Sequence, residues 1–225
     1  VVEPWSENER LAAEKLVLGL FLTGHPITQY EPELRQFTHG TIASLLGDVE
    51  RSRGKMEARA AGLVVEVRTR QTKSGKTMGF ATIDDRTGRL EIAAFGDVYE
   101  KYRGIFSRDS LLIAEGALGF DDYLGTLRLS VEKLYSMEQA REAFARSIQL
   151  VWNAGEQEDH GFVTKLMAVL EPFKGGGCPV GISYTSKDAK ANLLLGDASR
   201  VHPTDELVAR LRTLLGNGAV EVRYR

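Results

Sequence analysis

Polar and apolar residues alternate along the middle of the chain with the two-residue period of half-buried β-strands. This alternation predicts five strands, over residues 60–70, 76–84, 89–95, 111–118 and 126–135. A helical period replaces it at residues 97–106, where Asp97 is a candidate N-cap. The central part of the chain is therefore predicted to contain three strands, one helix and two further strands.

That order of elements is the order of the five-stranded oligonucleotide-binding (OB) barrel. In OB barrels, the face of the second and third strands and the loop between the first two strands contact nucleic acid. We therefore predict an OB barrel over residues 55–137, which forms the all-β part of an α+β chain.

The second and third strands are predicted to form a tight hairpin. Residues 84–88 (DDRTG) supply turn-forming side chains, and Gly88 is free to take a positive φ. Pairing Asp84 with Arg89 places residues 79, 81, 83, 90, 92 and 94 in the barrel interior. The same register places Phe80, Phe95 and Arg89 together on the opposite face. The Asp84–Asp85 carboxylate pair is assigned to the turn rather than to a metal site.

Four cations lie in or beside the predicted loop between the first two strands, without an intervening acid. Cations beside aromatic rings suit a single strand of nucleic acid, because cations contact phosphates and rings stack on bases. The predicted DNA-binding residues are Arg68, Arg70, Lys73, Lys76, Phe80, Arg89 and Phe95. The alternatives are a solvated charged loop and phenylalanine rings packed on protein.

The sequence predicts no catalytic, metal or cofactor site in this chain. Gly75-Lys76-Thr77 resembles the end of a phosphate-binding P-loop, but that motif requires glycine where Arg70 stands, and a helix rather than a strand afterwards. The four histidines are scattered, and Cys178 has no second cysteine. We therefore do not expect nucleotide hydrolysis or metal binding.

The flanking segments have helical and mixed patterns. Residues 1–54 are predicted to form a helical connector, with an amphipathic helix over 6–22 and a short helical turn over 41–46. Residues 138–146 are predicted to form a linker helix. The remainder predicts a strand at 147–152, a helix at 159–172, strands at 179–185 and 189–196, a helix at 204–215 and a strand at 219–224. This β-α-β-β-α-β order predicts a small ferredoxin-like domain over 147–225, with Gly175–Gly177 separating its first helix from the next strand.

Composition limits where and how the chain acts. The 225 residues carry a net charge of −2, so any contact with nucleic acid must come from a local patch. The chain has no apolar run of the roughly 18 residues that a membrane span requires, and no secretory signal. With a single cysteine we expect a cytoplasmic protein. Because the chain begins at Val1 rather than at methionine, we also expect it to be part of a longer protein.

Several segments together resemble one protein family. Residues 18–27 (LGLFLTGHPI), 61–64 (AGLV), 82–91 (TIDDRTGRLE) and 113–122 are similar to the C-terminal region of bacterial DNA polymerase III alpha subunits. The resemblance implies that the barrel contacts single-stranded template DNA and that residues 147–225 dock the tau subunit of the clamp loader, within the polymerase holoenzyme. It also implies that the catalytic aspartates and Mg²⁺ of the parent polymerase lie upstream of Val1.

Two other functions are compatible with parts of the pattern. Residues 55–133 hold thirteen basic and twelve acidic residues, which favours a barrel that mainly packs against other polymerase domains. The hairpin is also similar to that of the anticodon-binding barrel of aminoacyl-tRNA synthetases. That assignment requires a long catalytic domain after the barrel, and only about ninety residues follow.

Overall fold

The computed structural model describes residues 24–52, 54–72, 75–121, 125–153 and 161–224, together with Arg10, Ala13, Glu14 and Val17. The chain divides into two compact units, Val1–Ser136 and Met137–Arg225. The helix predicted over residues 6–22 lies mostly outside the described residues. Within the described part of the chain, no helix is long and apolar enough to cross a bilayer.

From residue 24 onward, the described part of the first unit is a closed five-stranded barrel preceded by two α-helices. Its strands follow the order β1-β2-β3-β5-β4 around the barrel, which confirms the predicted OB fold. Its elements are α1 (Glu31–Phe37), α2 (Ile42–Ser52), β1 (Met56–Gln71), β2 (Thr77–Asp84), β3 (Arg89–Phe95), α3 (Asp97–Tyr102), β4 (Leu111–Asp121) and β5 (Thr126–Tyr135).

The β2–β3 hairpin has the predicted register. Asp84 pairs with Arg89, Phe80 with Ala93, and Met78 with Phe95. The side chains predicted for the interior are all buried, and all of them except Gly79 belong to the hydrophobic core of the barrel. The alternation of the sequence was sufficient here because a one-residue slip would turn every apolar side chain toward solvent.

Helix α2 is longer than the helical turn predicted over residues 41–46. Its apolar face buries Ile42, Leu45 and Val49 in the same core as the barrel strands. The first turn of this helix is stabilised by the β2–β3 turn, since Asp85 Oδ2 accepts from the Ile42 N–H at 2.8 Å and Thr87 Oγ1 accepts from the Ala43 N–H at 3.1 Å. A cap supplied from residues more than forty positions away has no local sequence signal.

The positive φ of the hairpin turn belongs to Arg86, at 75°, and the prediction for Gly88 was wrong. Gly88 instead packs closely against α2, where an added Cβ would lie 3.2 Å from Ile42 Cγ2. Arg86 extends toward α1, where its Nη1 lies 3.2 Å from Glu31 Oε1 and from Thr28 Oγ1. The turn therefore joins the barrel to the helices that precede it.

The second unit contains the predicted β-α-β-β-α-β order and one additional strand. Both long helices pack on one face of a four-stranded sheet. Phe162 is buried in the core of this unit, and the partly buried Trp152 stacks on it with ring centroids 4.1 Å apart. The elements are α4 (Met137–Phe144), β6 (Ala145–Asn153), α5 (Phe162–Leu170), β7 (Lys174–Cys178), β8 (Val180–Thr185), β9 (Lys190–Leu194), α6 (Asp205–Leu215) and β10 (Val220–Tyr224).

The strand order of this sheet differs from a ferredoxin-like sheet in one respect. The observed order is β10-β6-β8-β9, and β6 pairs directly with β8 in parallel. A ferredoxin-like sheet is built on a split βαβ unit, in which another strand lies between the two parallel ones. Here β9 lies outside β8 as an edge strand. The order of elements was readable from the sequence, whereas the order of strands was not.

The three glycines predicted to separate α5 from the next strand form part of β7 instead. Both ends of β7 make antiparallel bridges to Val201. The Gly175 N–H donates to Arg200 O at 3.0 Å, and the His202 N–H donates to Phe173 O at 2.8 Å. Glycine is suited to this strand because a Cβ on Gly176 would lie 2.1 Å from Val201 O.

Candidate nucleic-acid interface

The outward side chains of β1, β2, β3 and β5 form one continuous surface on the barrel. One row across the sheet contains Arg68, Phe80, Ala93 and Ser130, which are paired strand by strand. The next row contains Arg70, Met78 and Phe95. A third row, on the other side of the first, pairs Glu66 with Thr82, Thr82 with Glu91, and Glu91 with Arg128. We call this surface the β2–β3 face. It brings together four of the predicted residues: Arg68, Arg70, Phe80 and Phe95.

Phe80 and Phe95 differ in how much of each ring solvent can reach. Phe80 is 9% exposed, whereas Phe95 is 42% exposed. Their rings meet edge to face, with centroids 6.3 Å apart. The guanidinium carbons of Arg68 and Arg128 lie 5.3 and 5.1 Å from the Phe80 centroid, distances typical of cation–π contacts. The ring of Phe95 is thus available for stacking, while Phe80 is covered by protein.

The two arginines around Phe80 share one carboxylate. Glu91 Oε2 pairs with Arg68, and Glu91 Oε1 accepts from Arg128 Nε at 2.7 Å. Arg128 also donates through Nη1 to Asp121 Oδ2 at 2.8 Å. Its Nη2 lies 2.6 Å from Glu91 Oε1 but makes no well-directed hydrogen bond. This ion-pair network extends across the sheet from β1 to β5.

Arg128 and Glu91 were absent from the predicted site. Arg128 is 93% buried, since only 7% of the residue is exposed. A sequence signal was available: Arg128 lies between Leu127 and Leu129 on a strand, and an arginine on the outer face of a strand requires a carboxylate partner when it is covered. Locating that partner required the parallel pairing of β3 with β5, which joins residues 37 positions apart.

The loop between β1 and β2 is closed by hydrogen bonds at its base. The Thr72 N–H donates to Lys76 O at 2.8 Å, and the Gly75 N–H donates to Thr72 O at 3.0 Å, with Gly75 at a φ of 78°. Lys76 extends into solvent, with Nζ 3.5 Å from Asp97 Oδ1. The predicted site residue Lys73 lies outside the described residues. Arg70 is exposed and has no ion-pair partner within the described part of the chain.

Arg89 lies at the other end of the hairpin from this loop. It is six residues before Phe95 on β3, a separation of about 20 Å along a strand, and its Nε donates to Asp84 Oδ2 at 2.9 Å. Burial by itself raises the pKa of Asp84, but hydrogen bonds from Arg89 and from the Arg86 backbone outweigh it, so this pKa lies below its ordinary value. The structure therefore places Arg89 in the turn and not with the other predicted residues.

The described residues offer neither a metal site nor a reactive thiol. No group of three His, Cys, Asp or Glu side chains in the described ranges lies close enough together to hold a metal ion. Burial raises the pKa of the Cys178 thiol to about 11, so it stays protonated at neutral pH.

A groove of about 490 Å³ lies between α1 and the β2–β3 turn, bordered by Leu34, Thr38 and Arg86. It contains none of the predicted site residues.

Each of the two units contains a segment that matches a model of a known protein family. The model described as "OB-fold nucleic acid binding domain" matches residues 58–136. The model described as "DNA polymerase III subunit alpha, C-terminal domain" matches residues 165–216. Each unit is therefore similar to a separate family model.

Individual relatives match nearly the whole chain. The DNA polymerase III subunit alpha of Escherichia coli (strain K12) is 38% identical over 222 residues, and that of Vibrio cholerae is 35% identical over 223 residues. Each alignment covers 99% of this chain but 19% of the relative, so the chain spans about a fifth of the length of these relatives. Among solved structures, the SSB domain of a Synechococcus sp. protein covers 36% of this chain and 92% of its own length, at 14% identity. Its TM-score of 0.31 is too low to add to the fold described above.

Proposed function

Because the chain belongs to the DNA polymerase III alpha subunit family and corresponds to its C-terminal region, we propose that its barrel contacts single-stranded template DNA and that its second unit docks the tau subunit of the clamp loader. The chain spans 19% of the length of its relatives. We assign the polymerising activity and its Mg²⁺ to other parts of the parent polymerase, which acts in the cytoplasm. This chain is the accessory part of that enzyme.

The observation that carries the DNA proposal is the composition of the β2–β3 face. An exposed ring, Phe95, lies in the same row as the exposed Arg70 and one row from the exposed Arg68. Base–aromatic stacking combined with cations along the backbone is the usual basis of sequence-tolerant single-strand binding. Because carboxylates already pair with most cations here, we expect weak binding. About four phosphate contacts predict a slope near −3 for log affinity against log salt on single strands.

Replacing Phe95 by alanine is expected to weaken the binding of a labelled single-stranded oligonucleotide about fivefold, which is the lower end of a base-stacking contribution of about 1–3 kcal/mol. Arg70→Ala is expected to reduce the magnitude of the salt slope by about 0.7, because one phosphate contact is lost. Fluorescence anisotropy at several salt concentrations measures both effects.

The matched control for Phe95 is Phe120→Ala. Phe120 is 54% exposed, more than Phe95, but it lies on β4, outside the β2–β3 face. This variant is expected to bind DNA like the unmodified chain. Equal losses for the two alanine variants would remove the β2–β3 face from the proposal.

The second candidate function is packing against other polymerase domains. It is favoured by the ion pairs that neutralise the cations of the barrel, in which Glu91 and Asp121 hold Arg68 and Arg128, and Asp97 lies near Lys76. This function predicts no oligonucleotide binding even at low salt, with tau binding intact. The same anisotropy titration distinguishes the two candidates.

For the tau contact, we propose the edge strand β9. This strand is hydrogen-bonded to β8 on one side, and all five of its residues are exposed. Leu193 and Leu194 are 50% and 72% exposed. Among the described residues no strand pairs with the outer edge of β9. Such an edge with exposed leucines suits an extended segment of a partner, which adds a strand through backbone hydrogen bonds and places apolar side chains at alternate positions.

Leu194→Glu is expected to weaken capture of tau by the full chain at least tenfold, because it places a charge in an apolar contact. The control is Val163→Glu on α5, where Val163 is 57% exposed and distant in sequence from β9. Calorimetric titration of each variant with purified tau measures the loss. If both glutamate variants bind as the unmodified chain does, tau docks on another surface, and if the unmodified chain fails to bind, the docking proposal itself is wrong.

A further inference from the structure

Glu91 holds both guanidinium groups that surround Phe80. Its Oε2 pairs with Arg68 from β1, and its Oε1 accepts from Arg128 on β5 at 2.7 Å. The side chain of Glu91 is only 21% exposed, because the two arginines cover it. A single carboxylate thus neutralises two cations from opposite sides of the hairpin.

The same contacts cover the aromatic surface of Phe80. Arg68 and Arg128 lie 5.3 and 5.1 Å from its ring centroid, and only 9% of the residue is exposed. Single-strand binding requires free cations and exposed rings. While Glu91 holds both arginines, this part of the face provides neither.

The two arginines are held with different strength. The Arg68 side chain is 56% exposed and Glu91 is its ion-pair partner. Arg128 is 7% exposed and is held by a second carboxylate, Asp121, at 2.8 Å. Exposed ion pairs contribute little to stability and are easily exchanged, whereas breaking a buried pair is costly. Arg68 is therefore the arginine that can change partners.

We propose that Glu91 acts as a built-in competitor of the DNA backbone at the β2–β3 face. A phosphodiester of the single strand replaces the Glu91 carboxylate as the partner of Arg68, and the movement of Arg68 uncovers Phe80 for stacking on a base. Arg128 stays with Glu91 and Asp121. This inference rests on the proposed binding of single-stranded DNA and adds a residue that limits its affinity.

Glu91→Gln keeps the shape of the side chain but removes its charge, so Arg68 is released in the free protein. We expect the variant to bind a single-stranded oligonucleotide about five- to tenfold more tightly than the unmodified chain. The salt slope is expected to increase in magnitude by about 0.7, the value of one added phosphate contact on single strands. Adding Arg68→Ala to this variant is expected to abolish the gain.

The matched control is Glu115→Gln. Glu115 is also 21% exposed and also holds two cations, Arg59 at 2.6 Å and Lys133 at 3.1 Å, but on β4. Both glutamine variants change the net charge by the same amount, so a general charge effect raises both affinities equally. Glu91→Asp keeps the charge and shortens the side chain, and is expected to give a smaller gain. It replaces Glu91→Gln as the test variant if circular dichroism shows that the latter is unfolded.

The outcomes separate this inference from the function it rests on. A gain for Glu91→Gln, or for Glu91→Asp, that exceeds the effect of Glu115→Gln and disappears with Arg68→Ala supports the competition. Equal affinities for the two glutamine variants, or weaker binding by Glu91→Gln, overturn it while leaving DNA binding in place. No binding by the unmodified chain or by any variant at low salt overturns the proposed DNA binding instead.

Discussion

Replacing Gly176 by alanine is expected to destabilise the second unit by about 3 kcal/mol, the upper part of the usual range for overpacking. The Cβ would lie 2.1 Å from Val201 O and 2.3 Å from the His202 nitrogen, so two backbone segments must separate. For a unit of this size, a loss of that magnitude lowers Tm by more than about 10 °C. Trp152, which stacks on Phe162 inside this unit, provides a fluorescence signal for its unfolding.

The neighbouring Gly177 provides the matched control. An added Cβ at Gly177 has no heavy atom within 4 Å, and its φ is not positive. Gly177→Ala is therefore expected to leave the transition of the second unit almost unchanged. Equal transitions for the two variants would mean that β7 does not lie against Val201 as described.

Replacing Asp85 by alanine is expected to destabilise the barrel unit by about 2 kcal/mol, because an N-cap and several hydrogen bonds to a charged group are lost together. Asp85 Oδ2 accepts from the Ile42 N–H, and Oδ1 accepts from Thr87 and from the Gly88 N–H at 3.1 Å. The expected result is earlier unfolding in urea, with the amides at the start of α2 losing their protection from hydrogen exchange first.

Two further variants test whether the loss of stability in Asp85→Ala comes from the lost helix cap. Asp85→Asn keeps an acceptor oxygen and is expected to lose less stability than Asp85→Ala. Asp48→Ala removes a carboxylate of α2 that pairs with Arg51 on the surface. This variant is expected to change the free energy of unfolding by less than about 0.5 kcal/mol. If Asp48→Ala were as costly as Asp85→Ala, helix charge rather than the cap supplied by the turn would explain the loss.

The structure assigns a mainly structural role to the most recognisable motif of the sequence, residues 82–91. The segment TIDDRTGRLE carries much of the family resemblance, yet its polar side chains mostly contact this chain itself. Asp85 and Thr87 cap α2, Arg86 contacts Glu31, and Arg89 pairs with Asp84. A specific motif beside a predicted binding loop therefore stabilises the fold, and the proposed DNA contacts come from its neighbours on the β2–β3 face.

Predictions from local sequence patterns were correct where the pattern of apolar residues or the residues at the ends of a segment specified its secondary structure. The hairpin register followed from alternation and from a short turn, so residues 78–95 were placed correctly pair by pair. The helix predicted over 204–215 is observed as α6, because the residues that limit it, the Thr204 cap and Gly216 at a φ of 95°, lie at the ends of the segment itself. The same reasoning failed for β7, since three glycines have no periodicity and their strand partner is 23 or more residues away.

The amino-acid sequence by itself determined the order of most elements, the OB barrel, the side of each hairpin strand that faces the core, and the resemblance to a polymerase subunit. These properties depend on periodicity and on short motifs, which are local in the chain. Only the tertiary structure decided which charges meet: that Glu91 joins Arg68 to Arg128, that Phe80 is covered while Phe95 is open, and that Arg89 belongs to the turn. The physical reason is that ion pairs and burial on a barrel surface are set by the pairing of strands distant in sequence, and no local pattern specifies that pairing.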